Sequence, residues 1–100
     1  MPKKIDANHG AIVRDLRKAG AMVQSLAEIG KGCPDILVLF RGDAYVMEIK
    51  DGMQPPSKQR LTPLEKQWHA QALEARYHVY IVKTSTEALQ IIGAIQVEGR

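Results

Sequence analysis

One hundred residues with a net charge of +3, 45% hydrophobic and 25% charged, suit a single globular domain and exclude both a second core of ordinary size and a disordered tail. A pI near 9.2 leans toward a polyanionic partner. The lone Cys33 excludes an internal disulfide framework and a multi-cysteine zinc site, and five aromatic residues are too few for a broad base-stacking platform.

In chain order, Asp6 is placed to cap a helix running to about Ala19, with Ile12, Val13 and Leu16 as its apolar stripe and Gly20 at its end. Met22 to Leu26 reads as a short strand, followed by a loop from Glu28 to Pro34 that holds Gly30 and Gly32. Asp35 to Phe40 and Ala44 to Lys50 are nearly continuous apolar runs around the turn Arg41-Gly42-Asp43, the pattern of a hairpin buried on both faces. Residues 51–61 are polar and carry Gly52, Pro55 and Pro56, so a loop is expected.

Thr62-Pro63-Leu64-Glu65 is a helix start in which the Thr62 hydroxyl and the Glu65 carboxylate satisfy each other's backbone donors. That helix should reach about Ala75. His78 to Lys83 gives a further strand, and Ser85 caps a last helix to about Ile92. No apolar run approaches the ~18 residues of a membrane span and no signal-peptide core is present, so a cytoplasmic location is expected. The order, helix, strand, hairpin, helix, strand, helix, is that of an α/β domain over residues 1–100.

Three charged residues interrupt the two most apolar strands: Asp35 at the start of the first, Glu48 and Lys50 near the end of the second. Burying such groups is costly unless they are paired or bound to metal. An even-numbered loop around Gly42-Asp43 sets Arg41 opposite Ala44, Leu37 opposite Glu48 and Asp35 opposite Lys50, so that all three charges share one face at one end of the hairpin. A three-residue loop breaks this parity unless a bulge restores it. Two carboxylates side by side are hard ligands for Mg²⁺ or Mn²⁺, and a lysine beside them can orient a water or stabilise phosphoryl oxygens. The same charges also fit a buried Asp–Lys ion pair with Glu48 at the solvent edge.

The written pattern narrows this choice. Lys31-Gly32-Cys33-Pro34-Asp35, then Glu48-Ile49-Lys50-Asp51-Gly52, then Leu61-Thr62-Pro63 with Gln67-Trp68, resembles the VRR-NUC family of the PD-(D/E)xK nuclease superfamily in its stand-alone phage or prophage form, over about Ala7 to Gly93. The resemblance implies a mixed central sheet flanked by helices with a restriction-endonuclease-like core, and Mg²⁺- or Mn²⁺-dependent hydrolysis of phosphodiester bonds, with four-way branched DNA as the expected substrate. It makes Asp35 and Glu48 metal ligands, the Ile49 carbonyl a third ligand, Lys50 the catalytic lysine and Gln67 a helix glutamine facing the site. Many superfamily members carry a glutamate on the first helix. Here that position falls at Asn8, which can hold metal only through water, with His9 read as a surface residue beside it.

Lys31, Lys58, Arg60 and Lys66 flank the centre in sequence and are candidates for phosphate contacts. Trp68, His69, His78 and Cys33 read as structural. Two symmetric cuts in a junction require two centres, which points to a homodimer. Leu89, Ile91, Ile92, Ile95 and Val97 are more apolar residues than one short helix needs for its own core face. Two rivals keep the fold: an inactive nucleic-acid-binding or assembly module, and an RNA-directed or nicking enzyme.

Overall fold

The computed structural model describes residues 6–96; Val97, weighed above for an interface, lies outside them. Four helices and four strands follow one another as α1 (His9–Lys18), β1 (Met22–Ser25), β2 (Ile36–Phe40), β3 (Asp43–Ile49), α2 (Pro56–Gln59), α3 (Pro63–Glu74), β4 (Tyr80–Val82) and α4 (Ser85–Ile91). The strands form one sheet in the order β1-β2-β3-β4. The first three are antiparallel and β4 lies parallel to β3, so the sheet is mixed, as the family resemblance implies. The β3–β4 connection must cross from one end of the sheet to the other, and α3 is the element that makes the crossing. Among the described residues no helix is long and apolar enough to cross a membrane.

Side-chain alternation divides the sheet into two unequal faces. Val23, Ile36, Val38, Phe40, Met47, Ile49 and Val82 point to one side, where Ile12 and Leu16 of α1 and Ala88 of α4, with Ile92 just beyond it, complete the hydrophobic core. The Ser85 hydroxyl beside Asp15 joins these two helices and holds the Asp15 carboxyl below its ordinary range. On the other face Leu37 is half-buried and Leu39 and Ala44 are exposed. The hairpin is therefore not buried on both faces as its apolar runs suggested. Only its inner end is covered on the second side.

The turn sits one residue earlier than the inferred register requires. Phe40 pairs with Asp43 and Ile36 with Met47, so the loop is Arg41-Gly42, whose φ values of 49° and 87° are both positive. This is the conformation of a two-residue hairpin turn that matches strand twist. The register moves by two residues from the one inferred, which leaves side-chain parity untouched.

Helix α1 begins at His9 with Asn8 as its first cap, not Asp6. Asn8 is recruited to tertiary structure: its amide nitrogen donates to the carbonyls of Lys50 (3.0 Å) and Lys83 (2.8 Å), tying the helix start to the ends of β3 and β4. The polar stretch before α3 holds one short helical turn, α2. Thr84, one residue before Ser85, caps α4 through the Glu87 amide. The apolar surplus at the C-terminal end is largely absorbed by the monomer: Ile92 is buried, Leu89 and Ile91 pack against the core, and Ile95 is exposed.

Gly32 positions α3. Its φ is +82°, and a Cβ there would overlap the Leu64 carbonyl and stand 2.8 Å from the Glu65 nitrogen. The loop before β2 and the first turn of α3 thus touch backbone to backbone, which only glycine allows. Gly32→Ala should destabilise the protein by at least ~2 kcal/mol in urea denaturation. Gly10→Ala, in α1 with open space around its Cβ position, should instead stabilise it by about 0.5–1 kcal/mol.

Candidate active site

The regular β2–β3 pairing ends at Ile36 and Met47. The Asp35 side chain takes over there. Its Oδ2 accepts from the Ile49 amide at 2.6 Å, while the Asp35 amide donates to the Met47 carbonyl at 3.1 Å. The Asp35 carboxylate is thereby fixed alongside the Glu48–Ile49 peptide. Parity puts Glu48 and Lys50 on that same side, away from the main core, so the structure brings Asp35, Glu48 and Lys50 together. All three are buried, at 2%, 0% and 6% exposure. Glu48 is not at the solvent edge.

Lys50 does not pair with Asp35. Its Nζ donates to Oε1 of Glu65 at 2.9 Å, and both side chains are almost wholly buried. The same Oε1 accepts the Thr62 amide at 2.9 Å, while the Thr62 hydroxyl accepts the Glu65 amide at 3.2 Å. The capping box expected from the sequence is present, and its carboxylate is also the counter-ion of the candidate catalytic lysine. One turn further along α3, Nε2 of His69 stands 3.5 Å from Oε1 of Glu48.

Glu65 and His69 are therefore the residues of α3 that meet the cluster, and neither role was anticipated. A signal existed, since positions four apart share a helix face and the capping box places Glu65 at the helix start. Gln67 is the corresponding correction. Two residues from Glu65, it lies about 200° around the helix from it and is exposed, so it does not face the centre. Trp68 is half-buried and lies outside the main core. His9, read as a surface residue, is buried. Cys33 is buried, in keeping with a packing role. Lys31, Lys58, Arg60 and Lys66 are all exposed on the loop before β2, on or just after α2, and on α3.

Among the described residues no group of three or more His, Cys, Asp or Glu side chains is disposed to hold a metal ion. The donor set is the pair Asp35 and Glu48. Two carboxylate oxygens suit a small hard cation that keeps several of its waters, and Mg²⁺ is commonly held this way with substrate phosphate completing its shell. The amide nitrogen of Asn8 is engaged with backbone carbonyls, so its part at this end of the sheet is first of all structural.

No family model matches the sequence, and no curated protein matches it. A solved structure described as a VRR_NUC domain is similar, with a TM-score of 0.61 and 23% identity over 87% of this chain and 96% of that one. At that identity the likeness is one of fold. The four-stranded mixed sheet and its helices have the VRR_NUC fold.

The Lys50–Glu65 pair gives a direct test of how α3 is held. Glu65→Ala removes one charge of a buried pair and a helix cap together, and should lower stability by about 3–5 kcal/mol in denaturant titration. Glu65→Gln keeps an acceptor for the Thr62 amide and should recover part of that loss.

Proposed function

We propose that this protein is a divalent-metal-dependent endonuclease that hydrolyses phosphodiester bonds in DNA, with four-way branched DNA as its substrate. The observation that carries the reading is the convergence of the buried Asp35 and Glu48 carboxylates with Lys50 where the β2–β3 ladder opens. Charged groups placed at such expense in a small domain are more readily explained by chemistry than by stability.

Asp35 and Glu48, with the Ile49 carbonyl, would hold Mg²⁺ or Mn²⁺. Such an ion supplies Lewis-acid polarisation of a phosphate oxygen and a more acidic water. The chain's own residues do the positioning. The Ile49 amide fixes the Asp35 carboxylate. Glu65 steers the Lys50 ammonium beside the carboxylate pair, where it can stabilise charge developing on phosphoryl oxygens. His69 borders Glu48 on the side covered by α3. Lys31, Lys58, Arg60 and Lys66 would contact phosphates and set the substrate's position without reading its sequence.

An inactive nucleic-acid-binding module of the same fold is the second reading, and the limitation of the donor set to two carboxylates favours it. Catalysis separates the two. Asp35→Ala, Glu48→Ala and Lys50→Ala should each reduce cleavage of a labelled four-way junction by at least ~10²-fold, and chelator should abolish it in the parent. Junction bound but uncut by the parent in either metal would establish the second reading.

Paired incision also requires two centres, so the working form proposed is a homodimer. Sedimentation at micromolar concentration should give twice the monomer mass. A monomer both alone and on junction DNA would rule out symmetric cutting by one assembly.

A further inference from the structure

A groove of about 670 Å³ separates α1 from β1, on the core side of the sheet and away from the face that carries Asp35 and Glu48. Its floor is apolar, formed by Val13, Val23 and Ile36, and its rim carries Arg14, Arg17 and Lys18. Among the described residues lining it, none is acidic. Asp15 is the nearest acid in sequence. Its carboxylate stands 3.5 Å from the Arg14 Nε and is also engaged by Ser85 on α4. Gly10, Arg14, Arg17 and Lys18 fall at i, i+4, i+7 and i+8, so they line one face of α1. That face runs for about 12 Å, the axial length of three to four nucleotides at ~3.4 Å each.

The groove and the candidate active site lie on opposite faces of the sheet, near the same end of β2. His9, Ser25 and Ile36 are among the residues lining the groove. Ile36 follows Asp35 directly, and the Asp35 carbonyl accepts the Leu26 amide, the residue after Ser25. Asn8, next to His9, holds the Lys50 carbonyl. His9 is buried, and its Nδ1 has no hydrogen-bond partner among the described residues. A hydrogen-bonding group is thus unspent in the lining of the groove. Opposite this arrangement, Arg17 is already braced, its Nη2 donating to the Val23 carbonyl at 3.0 Å.

We propose that the α1–β1 groove is a binding site for the sugar–phosphate backbone of a DNA strand leaving the active site, with Arg14 and Lys18 as the phosphate-contacting residues. The proposal rests on the nuclease reading above. It adds a second basic track on the opposite face from Lys58 and Lys66, so that bound DNA passes around the end of the sheet rather than lying on one side of it. Two exposed cations on a rigid helix, over an apolar floor against which sugars can pack, are complementary to a polyanionic chain.

The test compares two double variants that lose the same charge from different places. Arg14→Gln with Lys18→Gln empties the groove's rim. Arg41→Gln with Arg76→Gln removes two cations at the hairpin tip and the end of α3. All four side chains are exposed, and thermal melting verifies that both variants fold. Binding of a fluorescein-labelled four-way DNA junction is followed by anisotropy in chelator, across a salt series.

The groove variant should bind about tenfold more weakly than the parent, with the slope of log affinity against log salt reduced by about two. The other variant should stay near the parent. Equal losses in both variants, or parental binding by the groove variant, would overturn the proposal while leaving the nuclease reading in place. A parent protein that binds no junction would overturn the nuclease reading itself.

Discussion

A single carboxylate oxygen, Oε1 of Glu65, joins the outer face of the sheet to the helix that covers it. It accepts from the Lys50 ammonium and from the amide of Thr62, the residue that caps α3. The two bonds are of different kinds, one a buried ion pair and the other part of a helix cap, and together they tie the start of α3 to the end of β3. The apolar contribution to that packing is small: Glu65 is the only fully buried residue of α3. Most helices in small domains are held by an apolar stripe. Here the stripe is weak, and specific polar contacts with the Gly32 backbone contact take its place. An arrangement of this kind adds little net stability, because desolvation of the charges offsets much of their attraction. What it provides is a defined position for a charged group.

The site lies where regular structure gives out. The β2–β3 pairing runs from Phe40 and Asp43 to Ile36 and Met47, and beyond it the Ile49 amide donates to the Asp35 carboxylate. A candidate functional carboxylate is thereby oriented where the strand pairing ends. Glu48, one residue before Ile49, needs no further device, since strand alternation aims it to the same side. The fold thus places two acids and a base with one hairpin and one helix cap.

Much of this was legible in the chain itself. The hairpin's parity, the joint placement of Asp35, Glu48 and Lys50, and the Thr62–Glu65 capping box all follow from local rules. The exact register did not, because Arg41 adopts a positive φ that side-chain residues seldom take, and sequence signals for two-residue turns favour Asn or Asp there. Gln67 was assigned to the site by motif position, whereas helical phase selects Glu65 and His69. His9 was misplaced for a related reason: the start of α1 is tied through Asn8 to the carbonyls of Lys50 and Lys83, more than forty residues away in sequence, which no local pattern encodes. The C-terminal isoleucines look like surplus only if α4 is counted alone. Packed against α1, Ile92 is part of the one core.

The sparse apolar attachment of α3 bears on how the protein breathes. Regions that bury little hydrocarbon and rely on a few polar ties open with a smaller free energy than the global unfolding transition. By that criterion α1, α4 and the core face of the sheet form one cooperative unit, and α3 forms another that can detach while the first stays intact. Detachment removes the counter-ion from Lys50 and exposes Glu48 to water in a single event. In amide hydrogen exchange the two layers would then separate, with α3 losing its protection well before α1.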